Sequence, residues 1–276
     1  MGGAAGAGHD RVVSSMEAYY KPIDGPDGEQ FHATASTVGP WFPDAQHVGP
    51  PSALLARTLE RCAPRDGTHI SRLTVEVLGP VPAGEVAVTA WVERPGRAIE
   101  LLAAEMIAAG RPVLRARAWR LALGDTAAVQ TGVAEPLPPP EHGPRREPRL
   151  DGWGPGFIES VEWRFLQGWF DEPGPGTAWI RQRVPVVEGE EPTAFQRLMV
   201  AADCANGAAA PLPITRWLFV NTDLTVHLHR PPVGEWVAVQ ASTTVGPSGL
   251  GTAAALLFDV DGQVGRSAQN LVVRPR

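Results

Sequence analysis

The sequence predicts an α+β fold built from two tandem copies of one unit, each a helix followed by antiparallel strands. Three observations predict it. The first is a repeat of long period: "LTVEVLGPVPAGEVAV", from Leu73, returns as "LTVHLHRPPVGEWVAV", from Leu224. Leu73 and Leu224 are 151 positions apart (224 − 73), and after one gap an offset of 150 aligns Gly84 and Glu85 with Gly234 and Glu235. An internal period of this kind fixes architecture before any local assignment does. The second is that helix and strand signals follow the same order in both halves. The third is a stretch dense in Pro, Gly and charge, 134–156, that separates the two copies.

Taken in order, residues 1–15 are small and flexible and predict a disordered start. They lack the charged and apolar regions of a signal peptide. Gly6 stands where a myristoylation motif needs Ser or Thr. The first unit, 16–133, opens with a strand near Phe31, "FHATAS". A helix follows over "GPPSALLARTLERC", with its prolines at the start, where a missing N–H costs nothing. Four strands come next: "ISRLTVEVLG", "GEVAVTAWVE", "IELLAAEMIA" and "PVLRARAWRLAL". Turns such as "ERPGR" separate them.

The stretch 134–156 loses backbone donors to Pro and regularity to Gly, so it reads as a connector. The second unit, 157–276, opens with a strand near Trp179, "TAWIRQRVPV". A helix then runs from Pro192 to a stop at Gly207. Strands follow in "LFVNTDLTVHLH", "EWVAVQASTTV", "TAAALLFDV" and "QVGRSAQNLVVR". One helix can cover one face of a curved sheet, and two such units joined edge to edge bury the edges they share.

A chain of 276 residues can bury a sizeable core. Its 43% hydrophobic and 20% charged residues are the balance of a soluble globular protein. A formal net charge of −6 argues against a nucleic-acid partner. Lys21 is the only lysine, which reads as composition bias rather than a functional set of arginines. No apolar run approaches the roughly 18 residues of a membrane span, and a cytoplasmic location is expected. Cys62 and Cys204 stand alone, without zinc spacing, and read as free thiols. The G-x-S-x-G elbow is missing, as are the phosphate-cradling glycine motifs, which argues against an α/β hydrolase and against a nucleotide cofactor.

Among the polar residues Asp203 stands out. With Phe195, Met199 and Gly207 it shares one helix face at a spacing of four, so it interrupts an apolar stripe with a carboxylate. Burying it demands partners, and a carboxylate in an apolar cleft suits a general base for water. A capping or ion-paired helix-end Asp is the alternative. Gln269 alternates with Ser267, Leu271 and Val273, and can hold a water or a thioester oxygen, or sit as an ordinary half-exposed Gln. At an offset of 150 its counterpart is Trp119, a large apolar group that suits packing or substrate contact. Asn221 shares strand parity with Phe219, Asp223 and Thr225, and Asp223 is a rival carboxylate. His227 and His229 lack a third ligand, so no metal site is expected. His47 precedes the first helix and is either a general base or a turn residue.

With these residues in view, the chain resembles TesB-like acyl-CoA thioesterases of the double hotdog fold, in their actinobacterial thioesterase-like branch. The resemblance rests on "GPWFPDAQHVGPPSALLAR", "AADCANG", "NTDLTVHLHRPPVGEW" and "GRSAQNLVV". It implies two tandem hotdog repeats, each a long helix wrapped by an antiparallel sheet. It implies a hydrolytic set of Asp203, Gln269 and a hydroxyl position that falls on Asn221, a departure, with Thr222 next door. A second departure is Val48, where the family often has a further glycine. The implied function is hydrolysis of an acyl thioester to free acid and CoA by water activated at Asp203. Coenzyme A enters as part of the substrate, with no other cofactor and no metal. His47, Gly49, Thr222 and Trp119 would contact substrate, and backbone N–H groups near Gly49 would hold the oxyanion. A homo-oligomer is implied by resemblance alone. Two rivals remain: a non-catalytic acyl-CoA or lipid-binding protein of the same fold, and a dehydratase or hydratase, which usually carries a His on the hotdog helix.

Overall fold

Alternation of small or apolar residues with charged ones, as in Leu114 to Arg117, puts successive side chains on opposite faces of a strand. That pattern dominates the chain, and the computed structural model, which describes residues 16–25, 29–146, 148 and 156–276, is accordingly rich in strands. The expected disordered start, 1–15, and part of the connector, 147 and 149–155, lie outside the described residues.

The first half contains β1 (Tyr20–Ile23), β2 (Glu29–Ala33), α1 (Gly49–Arg61), β3 (Thr68–Val77), β4 (Glu85–Arg94), β5 (Ile99–Ala108) and β6 (Arg111–Ala122). The second contains β7 (Val161–Trp169), β8 (Glu172–Gln182), α2 (Ala194–Ala202), α3 (Ala205–Ala208), β9 (Trp217–Asn221), β10 (Asp223–Leu228), β11 (Trp236–Val245), β12 (Leu250–Asp259) and β13 (Gly262–Pro275). All named strand pairings are antiparallel. They form one sheet in the order β1-β2-β4-β5-β6-β3-β10-β13-β12-β11-β8-β7, with β9 beside β13. From either end inward the order reads the same: the two strands that precede the helix, then the last three strands of the half, then at the seam a strand that lies in sequence between the helix and those three.

The halves join where β3 pairs with β10. Here the repeated Leu-Thr-Val meets itself head to tail: Leu73 faces Val226, Thr74 faces Thr225 and Val75 faces Leu224. The two threonine Oγ1 atoms lie 3.2 Å apart. Helix α1 packs on α2, and one hydrophobic core runs through both halves. From Gly49 to Leu59 every residue of α1 is buried, as expected of a helix enclosed on all sides. Among these is Arg57, which donates to Glu29 at the end of the sheet and to Glu190 before α2.

The structure differs from the sequence reading in five places. The helix expected from Pro192 to Gly207 is two helices, broken at Asp203 and Cys204. Thr193 caps the first by accepting from the Gln196 N–H at 3.1 Å. The run "LFVNTDLTVHLH" is two strands, interrupted at Thr222. Before the break Phe219 and Asn221 point inward; after it Leu224 and Val226 do, while Asp223 and Thr225 change faces. Asp223 is therefore no rival of Asp203: its Oδ1 accepts the Asn270 N–H. The 150 offset also fails in the strands. Thr74 pairs with Arg117 and Thr225 with Ala268, so the counterpart of Gln269 is Ala118, not Trp119. The gap is confined to the loop, and β4 and β11 again start 151 apart, at Glu85 and Trp236. Finally, β1 and β7 lie at the sheet ends without having been foreseen.

Candidate active site

Asp203 is the first residue past α2, and its carboxylate lines a cavity of about 250 Å³ although the residue is only 3% exposed. The apolar side of α2, Phe195, Leu198, Met199 and Ala202, fastens the helix to the core and drives its end beneath the sheet. Three chain segments bring partners to it. Asn221 closes β9 and donates from Nδ2 to Asp203 Oδ1 at 2.9 Å. Gln269, inward on β13 between buried Ser267 and Leu271, donates from Nε2 to the same oxygen at 3.1 Å and reaches the Asp203 carbonyl at 3.3 Å. His47, in the loop before α1, places Nδ1 3.0 Å from Asp203 Oδ2.

A buried carboxylate is tolerable only when donors replace its hydration. Two amides and an imidazole do so here. Among the described residues, the ion pairs to Asp203 come from His47 alone. Gln269 Oε1 is buried with no partner among the described residues. Turning the amide would aim that oxygen at the carboxylate, so its orientation follows from Asp203. A carboxylate and an orphan carbonyl oxygen beside each other are two acceptors, the number a water molecule's two hydrogens require.

His47 is fixed by its backbone N–H on the Thr37 carbonyl at 2.8 Å and by its ring, stacked 3.8 Å from Phe157 at 11°. The Gly49 N–H also points at Nδ1, at 3.1 Å. One nitrogen cannot accept from Gly49 and donate to Asp203 at once. A proton on Nδ1 favours Asp203 and frees the Gly49 N–H; without it Gly49 is the partner. Pro50 and Pro51 carry no N–H and Ser52 donates to Val48, so Gly49 is the donor that the first turn leaves outside the helix, and it is engaged by His47 Nδ1. A Cβ at Gly49 would lie 2.9 Å from the Val200 carbonyl oxygen, which accounts for the glycine.

Thr222 is exposed on the cavity rim, its N–H on the Asn270 carbonyl. Trp119 does not join the cavity. It lies on β6 with the Arg94 guanidinium 6.0 Å from its ring centroid. Sequence reasoning missed Trp41, Asn206 and Gln46, which also line the cavity. Asn206 stands three residues past Asp203, a helical spacing that could have found it. Gln46 accepts from the Tyr20 hydroxyl at 2.6 Å, a contact no spacing announces. Cys204 is buried beside Asp203; burial, then the Asp203 charge, push its thiol well above the usual range, so it is no nucleophile at neutral pH. Among the described residues no cluster of three potential metal ligands occurs, and no helix is long and apolar enough to cross a membrane. His229 is bonded to the Gln263 carbonyl instead.

Two family models match the chain. One, described as the acyl-CoA thioesterase C-terminal domain, covers residues 134–273, and the other, the acyl-CoA thioesterase N-terminal domain, covers 37–121. Solved structures with the same arrangement include a conserved protein of hotdog fold from Alicyclobacillus acidocaldarius, 19% identical with a TM-score of 0.70, covering 91% of this chain and 95% of that one. Acyl-CoA thioesterase II TesB2 from Mycobacterium marinum is 16% identical with a TM-score of 0.64, covering 90% and 93%. The tesB protein of Mycobacterium avium subs paratuberculosis is 16% identical with a TM-score of 0.62, covering 89% and 93%. At these identities the likeness speaks of fold, which is of the hotdog type. No curated protein matches the chain.

Proposed function

The chain belongs to the acyl-CoA thioesterase family, and from that premise we propose that it hydrolyses an acyl-CoA thioester with water activated at Asp203. The observation that carries this reading is the buried Asp203 carboxylate, held by Asn221, Gln269 and His47 beside the unpartnered Gln269 Oε1. Water bound between Asp203 and Gln269 Oε1 gives a proton to the carboxylate while its oxygen attacks the thioester carbonyl carbon. The tetrahedral intermediate collapses with cleavage of the C–S bond. The proton on Asp203 passes to the departing thiolate, leaving free acid and CoA.

Asn221 takes the place of the family's hydroxyl residue as a donor to Asp203. His47 holds the second carboxylate oxygen. When Nδ1 carries a proton, the Gly49 N–H is released to stabilise the developing oxyanion. We read the two halves as two hotdog repeats, within 16–133 and 157–276, of which only the second carries the polar set. Its Gln269 corresponds to Ala118 in the first. No metal ion takes part in this mechanism, so chelation leaves the rate unchanged. A cytoplasmic, homo-oligomeric enzyme of fatty acid metabolism is the setting that fits.

The test is thiol release from acyl-CoA. Asp203→Asn, which preserves shape, lowers kcat by about 100-fold or more, the span of general base catalysis. Gln269→Ala lowers it less. Unchanged rates in both variants would remove the assigned roles. The same variants answer the binding-protein alternative, which predicts tight acyl-CoA binding with no thiol released by the parent protein.

A further inference from the structure

A second cavity adjoins the active-site cavity at Trp41, His47 and Asn206, which line both. The two are unequal. The larger, about 250 Å³, reaches the surface past exposed Phe42, Pro80, Thr222 and Arg274. The smaller, about 30 Å³, is walled by Ile158, Trp163, Phe170, Ala210, Ile214 and Phe219. Of these only Ile214 is more than 7% exposed. The aromatic walls brace one another: Trp163 meets Phe170 edge-on at 4.8 Å, and Trp41 meets Phe219 edge-on at 4.8 Å.

A thioester whose carbonyl lies at Asp203 has two limbs to place. The carrier limb ends in a nucleotide far larger than the smaller cavity, so it leaves through the larger one, where Arg274 offers a cation to a phosphate. The acyl limb is left with the smaller one. At about 30 Å³ against about 250 Å³ for its neighbour, the smaller cavity has room for a few heavy atoms and no long chain.

We propose, resting on the thioesterase reading above, that the substrate is a short-chain acyl thioester, with about one or two carbons beyond the carbonyl. Trp163, Phe170 and Phe219 set the limit. A longer tail must displace packed rings, and interiors resist insertion of extra methylenes.

The experiment measures kcat/KM by thiol release over acetyl-, propionyl-, hexanoyl- and palmitoyl-CoA, with calorimetric binding of S-alkyl-CoA thioethers of the same lengths. kcat/KM is expected to fall at least about tenfold from propionyl to hexanoyl, the discrimination a tight apolar pocket gives. Phe170→Ala moves the preference toward hexanoyl; should it fail to fold, half-buried Ile214→Ala gives the same shift. Hexanoyl- or palmitoyl-CoA turned over as well as propionyl-CoA overturns the short-chain assignment and leaves the hydrolase reading standing. Preference for short thioethers without any thiol release overturns hydrolysis and keeps the cavity assignment. Length-independent binding and no turnover overturn both.

Discussion

Asp203 stays buried because two amides donate to one carboxylate oxygen and the His47 ring stands against the other, and its neighbours are packed as closely. Gly49 has no room for a side chain: a Cβ would press on the Val200 carbonyl at 2.9 Å and on His47 Nδ1 at 3.1 Å. Gly49→Ala is expected to cost about 1–3 kcal/mol by overpacking, read in urea unfolding, and to disturb His47 as well. Cys204 gives a second check. With its thiol raised by burial and by Asp203, alkylation at neutral pH is expected only after denaturation, whereas partly exposed Cys62 labels sooner. Asp203 was legible in the sequence because an acid broke an apolar stripe. Its contact with His47 was not, since 156 positions separate them (203 − 47) and no local period links a loop to the end of a distant helix.

At the level of elements, α1 and α2 are fastened by two glutamates that respond to pH with opposite sign. Glu190 accepts hydrogen bonds from Arg57, which lower its pKa in the folded state, with further help from the Arg57 and Arg61 charges. Its contribution is present above the unfolded carboxylate value of about 4.3 and is lost as pH falls through the lower folded value. Thermal melts of Glu190→Gln should therefore be less stable than the parent at neutral pH and converge with it in acid. Glu60, bonded to Thr193 and Gln196, is raised by burial. The folded state holds that proton more tightly, so stability declines as pH rises from about 4.3 through the raised value. Glu60→Gln should lose this decline, its melting temperature holding better than the parent's toward neutral pH. Where α3 meets β8 the fit is closer still. A Cβ at Gly176 would stand 1.8 Å from the Ala208 carbonyl oxygen, and Gly176→Ala should unfold at a clearly lower urea concentration. The strand runs were readable from alternation. The break at Thr222 was not, because β13 pairs with β9 along one stretch and β10 along another, and only that fork reverses which residues face inward.

Across the whole molecule the β3–β10 seam and the α1–α2 contact make each half the cover of the other. Residues 16–133 expressed alone would leave β3 as an open edge and α1 uncovered. They should aggregate or stay unfolded, and coexpression with 134–276 should restore a soluble complex, read by size exclusion. Ala134 and Pro138 are tied to the second half: the Ala134 N–H meets Gln263 Oε1 at 2.7 Å, and Trp179 Nε1 donates to the Pro138 carbonyl at 2.8 Å. The sequence alone determined the α+β class, a leading strand, a helix and then a run of strands in each half, and the 151-residue period of the Leu-Thr-Val repeat, because local periodicity and turn chemistry encode them. It also determined that Asp203 would need partners, since burying a charge has a cost wherever it occurs. Tertiary structure alone decided which partners those are, which strand faces turn inward past Thr222, and that Gln269 corresponds to Ala118. Those outcomes depend on register and on contacts between segments far apart in the chain, which no stretch of residues specifies by itself.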